Sequence, residues 1–154
     1  MPRRLKQRHT YEGCGEVQHD TGDAFAVRQP LILVRGAIEG PRGTTALRLV
    51  LDTGASQTVI VPEVLDEIGY SARHGGFTSS VSTAIGRERG YTQRVTRFAA
   101  LGFGMKRFVV HVFDLEDRHH IDGLIGLSFL HHFNYEIRSA EGRIVLENIS
   151  PLAS

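Results

Sequence analysis

The stretch LVLDTGASQTVI, residues 49–60, places one aspartate between two apolar runs. The run LRLVL before Asp52 has the apolar content of a buried strand, and the residues after Gly54 lead into a second such strand. Asp52 is therefore expected at a loop tip that two buried strands brace. Thr53 can offer its hydroxyl to nearby backbone, and Gly54 allows a close turn because it lacks a Cβ. A carboxylate held in this way is a candidate catalytic group, since catalysis needs a fixed geometry.

A second Asp-Thr-Gly begins at Asp20, and it lacks this support. The sequences on either side of it, GEVQH and DAFAV, are polar or mixed, and Asp23 adds a further charge. Asp-Thr-Gly readily forms an Asx-type turn, which satisfies local backbone groups without any catalytic role. The sequence therefore predicts a turn at Asp20.

Length and composition indicate one globular domain. The chain has 154 residues, of which 41% are hydrophobic and 23% charged, and its formal net charge of +1 implies no particular partner. We expect a tail or edge segment over residues 1–29 and the folded domain over residues 30–150. The basic opening, MPRRLKQRHT, is interpreted as a solvated tail, with an acidic or nucleic-acid partner as the alternative.

Targeting and redox signals are weak. No apolar region follows the basic opening, so it makes a poor signal peptide, and no stretch approaches the ~18 apolar residues of a membrane span. The single cysteine, Cys14, excludes an internal disulfide and a cysteine-based metal cluster. We therefore expect a cytoplasmic protein that binds neither membranes nor nucleic acid.

The remaining sequence predicts an all-β fold with one or two short helices. Two apolar runs around the turn GPRG at 40–43 indicate a hairpin, and SQTVIV indicates a short strand. Pro62 suits the first position of a short helix that Gly69 ends. We expect a long exposed hairpin over residues 75–101, then a turn at 102–104 into a buried strand within 101–115. A strand entering a helix is expected in IDGLIGLSFLHHF, and a closing hairpin in FNYEIRSAEGRIVLEN.

These motifs resemble the retropepsin-like aspartic proteases, the single-lobed relatives of pepsin that include bacterial members and the retroviral proteases. The family pattern is two hydrophobic residues before Asp-Thr-Gly-Ala-Ser/Thr, a helix-like segment, a flap hairpin, and a hydrophobic-hydrophobic-Gly strand. Residues 49–56 match the first element, so the resemblance makes Asp52 catalytic, with the loop around it formed by Thr53, Gly54, Ala55 and Ser56. The last element corresponds to Leu124, Ile125 and Gly126. The resemblance covers residues 30–148 and implies a closed β-barrel of the acid-protease type, with one lobe per chain.

The stretch STAIG at 82–86 resembles the flap tip of the bacterial members, in which Thr-Ala-Asn-Gly is usual. The flap residues implied are Thr83, Ala84, Ile85 and Gly86. Ile85 replaces the usual asparagine, which changes the contacts that the flap can make to a substrate.

The chemistry of this family uses two carboxylates that share a proton, one acting as a base on water and the other donating to the peptide carbonyl. Asp20 and Asp52 cannot form that pair, because the segment between them is too short to build a second lobe. The resemblance therefore implies a homodimer in which Asp52 of each chain meets its mate across a two-fold axis, with Thr53 hydrogen-bonding across that axis. The substrate would be a peptide or protein bound in extended form as an added strand.

Histidine pairs raise the alternative of a metal site, which we do not favour. His119-His120 lies between Asp117 and Asp122, and a second pair is His131-His132. Adjacent histidines diverge on a strand or helix, so each pair offers at most one ligand to a common centre. We expect no metal and no other cofactor. Asp122 is assigned to the turn that enters the following strand, and His111 to an ordinary strand position.

Two functions remain open from the sequence. The first is an aspartic endopeptidase, a hydrolase acting through Asp52 of two subunits. The alternative is a non-catalytic dimeric β domain that binds a peptide or protein in the same groove. The intact Asp-Thr-Gly-Ala-Ser favours the enzyme, because a buried pair of carboxylates is costly in a protein that makes no use of it.

Overall fold

The computed structural model describes residues 8–12, 31–71, 78–83, 86–115, 120–139 and 142–149, with backbone alone at 8–12, 78–83 and 86–89. Twelve strands and two short helices follow one another along these residues: β1 Arg8–Glu12, β2 Ile32–Gly40, β3 Gly43–Leu51, β4 Val59–Ile60, α1 Pro62–Glu67, β5 Thr78–Thr83, β6 Gly86–Arg94, β7 Arg97–Ala100, β8 Phe103–Lys106, β9 Val109–Val112, β10 Gly123–Ile125, α2 Leu127–Leu130, β11 Phe133–Arg138 and β12 Arg143–Asn148.

The strands form two sheets. The large sheet has nine strands in the order β5-β6-β9-β4-β10-β3-β2-β7-β8, and the small sheet has the order β1-β12-β11. Strand β10 lies between the two strands that flank the Asp52 loop, parallel to β3 and antiparallel to β4. The loop between β3 and β4 therefore lies at the end of β10, which positions β10 and α2 to support it.

Several sequence predictions are confirmed by the elements. The β2–β3 hairpin closes at the pair Gly40 and Gly43, around the predicted turn. Helix α1 begins at Pro62, and Gly69 follows it with a φ of 95°, a conformation that favours glycine. Strand β10 leads directly into α2, and β11 and β12 form the closing hairpin. The prediction of an all-β fold with short helices is correct.

Two predicted elements are wrong in extent. The exposed hairpin expected over residues 75–101 ends at β6, and Arg97–Ala100 is a separate strand that pairs with β2 and buries Phe98 completely. The buried strand expected after the turn at 102–104 is two strands, because the chain turns again at Arg107, whose φ is 55°. In each case the break falls within a run of mixed polarity, where alternation does not locate a turn.

The hydrophobic core lies against one face of the large sheet. Phe98, Phe108, Phe129 and Phe133 form its aromatic centre, with Phe129 in contact with all three of the others. Phe129 lies in α2, so the same packing that fills the core also anchors the helix that follows β10.

Strand β1 pairs with β12 along the edge of the small sheet. Part of the segment predicted as a tail or edge is therefore a strand, whereas the boundary between residues 29 and 30 stays a prediction. Neither helix in the described part of the chain has the length and apolar character needed to cross a membrane.

Candidate active site

The Asp52 loop is held by its own backbone and by β10. The Asp52 N–H donates to the carbonyl of Ile125 at 2.9 Å, and the Ala55 N–H donates to the carbonyl of Asp52 at 3.2 Å. The Gly54 N–H donates to Oδ1 of Asp52 at 2.9 Å. Because this last bond reaches the side chain, it fixes the rotation of a half-buried carboxylate.

The start of α2 fastens the second half of the loop. The N–H groups of Leu127 and Ser128 donate to the carbonyls of Ala55 and Ser56 at 2.8 and 3.0 Å. Gly126 makes this approach possible, since a Cβ there would lie 2.8 Å from the carbonyl oxygen of Ala55 and closer still to Gln57. The hydrophobic-hydrophobic-Gly motif thus ends in a glycine because another side chain would push the two loops apart.

A pair of hydroxyls, on the buried Thr58 and the half-buried Ser128, joins the two halves of the site and was not predicted from the sequence. Oγ1 of Thr58, fully buried, accepts from the Gly126 N–H at 3.2 Å and from the Ser128 hydroxyl at 3.1 Å. Oγ of Ser128 in turn accepts from the Thr58 N–H at 2.9 Å. The signal in the sequence was a threonine inside an apolar run, which is also typical of an ordinary strand residue.

Asp52 and the core belong to opposite faces of the large sheet. The side chains of Leu49, Leu51, Ile60 and Ile125 belong to the main core cluster. The alternating residues Val50, Leu124 and Val59 do not, although Val50 and Val59 are also buried. Strand alternation places Asp52 on the side of Val50. The register continues this row from Val50 to Leu124, Val59, His111 and Thr92. We call this set of residues, with Asp52, the Asp52 face.

Thr53, Gly54 and Ser56 are exposed at the loop tip, and Ala55 is half-buried. The tip thus offers a threonine hydroxyl and a glycine backbone to another molecule. The structure brings the two predicted motifs together, since Leu124, Ile125 and Gly126 lie directly beside the loop.

The predicted flap is a hairpin whose two strands pair from Thr78 opposite Tyr91 to Thr83 opposite Gly86. Its second strand, β6, pairs with β9, next to the strand that leaves the Asp52 loop. Ala84 and Ile85, at the predicted tip, lie outside the described residues. The base of the hairpin is thereby attached at the edge of the Asp52 face.

Asp122 has a structural position. Its Oδ2 accepts from the Arg48 N–H at 2.7 Å, and its own N–H donates to the Arg48 carbonyl at 2.8 Å. Its carbonyl accepts from the Val61 N–H at 3.0 Å, so the residue ties the entry of β10 to both neighbouring strands.

The histidines do not converge. His120, His131 and His132 are exposed, and no group of three potential ligands forms among the described side chains. Asp20, Cys14, Asp117 and His119 lie outside the described residues. His111 is half-buried on β9, and burial lowers the pKa of its imidazole. Its Nδ1 is buried without a hydrogen-bond partner among the described groups.

Comparison with known proteins places these features in a family. The family model described as aspartyl protease matches residues 34–129, which include the Asp52 loop and β10. A search of curated proteins found no match.

Two solved structures share the fold. A retropepsin-like aspartic protease from Rickettsia conorii is 20% identical, with a TM-score of 0.56 over 75% of this chain and 89% of that one. The retroviral protease-like domain of Ddi1 from Leishmania major is 18% identical, with a TM-score of 0.52 over 77% and 90% of the two chains. The chain therefore belongs to the aspartyl protease family, and its fold is the single-lobed, retropepsin-like one.

Proposed function

We propose that this protein is an aspartic endopeptidase that works as a homodimer, with one carboxylate of the catalytic pair supplied by Asp52 of each subunit. Membership of the aspartyl protease family supports a protease in general. The observation that carries the specific assignment is the Asp52 loop, in which Gly54 orients the carboxylate while β10 and α2 hold the backbone.

The proposed reaction divides two roles between two identical groups. One Asp52 carboxylate takes a proton from a water molecule, which attacks the peptide carbonyl carbon. The mate, carrying a proton, donates a hydrogen bond to the carbonyl oxygen as negative charge develops there. Since two close carboxylates share one proton more easily than both ionise, the pair supplies the base and the acid together.

The proposed dimer follows from the number of supported aspartates in one chain. The described residues contain one aspartate supported in this way, and the chemistry needs two. A two-fold axis beside the exposed tip at Thr53 and Gly54 would bring the two loops together with the same residues on both sides.

The Asp52 face provides a surface for an extended substrate. Leu124, His111 and Thr92 of this face are half-buried and remain partly accessible, whereas Val50 and Val59 are buried, at 5% and 3% exposed. An extended peptide beside Asp52 would contact Leu124 and the polar side chains of His111 and Thr92, next to the base of the β5–β6 hairpin.

The proposal is tested with an unfolded protein incubated over an acidic-to-neutral pH series, with and without a general aspartic-protease inhibitor. We expect cleavage that the inhibitor stops, and sedimentation of the same sample should show a dimer. An active species that stays monomeric on dilution would contradict the shared pair. Peptide binding without any cleavage, unchanged in Asp52→Asn, would favour the non-catalytic binding domain instead.

A further inference from the structure

Strand β8 forms one edge of the large sheet among the described residues, at the opposite end of the strand order from β5. It is the last strand in the order, three places beyond β3, and within the described part of the chain it pairs with β7 alone. Leu101 and Gly102 connect the two strands with φ values of 55° and 85°, the signature of a two-residue hairpin turn.

This turn fixes which backbone groups face outward. In such a hairpin the residues flanking the turn, here Ala100 and Phe103, exchange both hydrogen bonds, and the pattern alternates along the strands. Gly104 and Lys106 therefore direct their N–H and C=O groups away from β7. An extended chain could take up those groups as an added strand.

A groove runs along this edge. Its volume is about 480 Å³, and it separates β8 from the point where β11 begins and β12 ends. Phe103 and Phe133 form its apolar floor, with ring centroids 4.6 Å apart, and Val109 beside them is 38% exposed. The groove thus combines an apolar floor with unused backbone groups on one wall.

The charges around the groove have one sign. Lys106 and Arg107 line it together with the ring of His132, and a neighbouring depression of about 280 Å³, which shares Phe103 and Gly104, adds Arg97. No carboxylate is among the described residues that line either one. The chain as a whole carries a formal charge of only +1, so this surface is locally cationic on a nearly neutral protein.

Two glutamates lie near this surface among the described residues: Glu147 precedes the groove-lining Asn148 on β12, and Glu39 is on β2. Glu39 lies opposite Arg97 on β2, two strands in from the edge, and it lines neither depression. It can offset part of the charge of Arg97, but it leaves Lys106 and Arg107 on the edge itself.

We propose that this groove, which we call the β8 groove, binds an acidic, extended segment of a partner protein that adds as a strand beside Gly104 and Lys106. A lysine on a short edge strand is also a common means of discouraging non-specific strand pairing. The two roles are compatible, because a cationic edge rejects neutral and basic strands while it attracts an acidic one. The inference does not depend on the proposed protease activity, since it uses other residues and another edge of the sheet.

The probe is a short fluorescent peptide that alternates glutamate and threonine, with a lysine-for-glutamate peptide as its counterpart. Fluorescence anisotropy on the full-length protein should show binding of the acidic peptide alone, weakened as salt is raised.

The double variant Lys106→Glu/Arg107→Glu should bind at least about tenfold more weakly. Its matched control is Arg143→Glu, a change of the same sign at the far end of β12 from the groove, which should bind as the wild type does. Equal binding by the double variant and the wild type would overturn the proposal.

Strand addition is tested separately from charge. Lys106→Pro removes an outward N–H without removing a bond to β7, so the fold should persist while binding falls more than in Lys106→Ala. Two peptides are compared, one methylated on the backbone nitrogens of its odd residues and the other on those of its even residues. An added strand should tolerate methylation in one of these peptides and lose binding in the other. Equal binding of the two methylated peptides would refute an added strand. If Lys106→Pro instead breaks an assembly of this chain in sedimentation, the groove belongs to a second copy and the proposal is wrong.

Discussion

Asp52 and Thr58 differ in how far their structural positions can be predicted from the sequence. Asp52 could be predicted because a charged residue between two apolar runs, followed by glycine, has few structural explanations. Thr58 could not, because a threonine in an apolar run is an ordinary strand residue until its hydroxyl is seen to accept two hydrogen bonds. Its role depends on Gly126 and Ser128, which lie about seventy positions away.

Thr58→Val tests that role. Valine has nearly the same shape, but it leaves the Gly126 N–H and the Ser128 hydroxyl without their acceptor in a buried place. We expect a loss of about 1–3 kcal/mol in the free energy of unfolding, measured by denaturant titration. The control Thr44→Val, at an exposed position on β3, should change it by less than about 0.5 kcal/mol. Equal effects of the two changes would show that the hydroxyl pair does not hold the loop.

His111 gives a pH dependence whose sign follows from its burial. Burial lowers the pKa of the folded imidazole below its ordinary value of 6.5, so the unfolded chain binds a proton more readily than the folded one as the pH falls below that value. The contribution of His111 to stability is therefore complete above 6.5 and is lost as the pH falls toward the folded pKa. Melting temperatures between about pH 8 and pH 5 should fall less steeply for His111→Gln than for the wild type. Parallel curves for the two proteins would contradict this account, and the exposed His132→Gln serves as the control.

Asp20→Asn checks the choice between the two Asp-Thr-Gly motifs. A turn asparagine serves as well as a turn aspartate, so melting temperature and cleavage rate should both stay close to wild type. Loss of cleavage in Asp20→Asn together with full cleavage in Asp52→Asn would mean that the wrong motif had been assigned.

At the scale of elements, the sequence predicted the hairpins whose turns carry glycine or proline. It did not predict strand breaks that lack these residues. The turn GPRG predicted the β2–β3 hairpin, and Pro62 predicted the start of α1. Strand β7 was joined to the flap hairpin because the residues between them carry no glycine or proline to mark the break. Its assignment depends on pairing with β2, which lies more than fifty positions earlier in the chain and cannot be read locally.

The junction of β10 with α2 can be tested through Gly126→Ala. The φ of Gly126 is −104°, which any residue can adopt, so the cost arises only from the close approach of Ala55 and Gln57. We expect a loss of about 1–3 kcal/mol in stability as the loops move apart. The control Gly142→Ala has open space around it but a φ of 63°, and it should lose only about 1 kcal/mol from backbone strain. A Gly126→Ala protein as stable as the wild type would show that the close approach is not required.

At the scale of the whole molecule, the proposed reaction needs two chains for one site. A single lobe supplies one supported aspartate among its described residues, and the tip at Thr53 and Gly54 is exposed for a second copy. The need for a partner stays a prediction, which rests on a chemistry that uses two carboxylates. The sequence could not predict that β1 joins the β11–β12 hairpin, because β1 and β12 come from opposite ends of the chain.

The variant Asp52→Asn tests whether the proposed shared site performs the cleavage. Asparagine keeps an oxygen at Oδ1 that can accept from the Gly54 N–H, so the loop and the dimer should persist. It cannot take a proton from water, and a homodimer of this variant lacks both carboxylates. We expect a folded dimer without cleavage, and its fold is verified by thermal melting on the same preparation.

The most direct measurement is cleavage by mixtures of wild type and Asp52→Asn at constant total protein, after the subunits have exchanged. If each subunit supplies one carboxylate, mixed dimers are inactive and the rate falls with the square of the wild-type fraction, to about one quarter in an equal mixture. A rate that falls in direct proportion, to about one half, would show that each chain carries a complete site and would contradict the central claim.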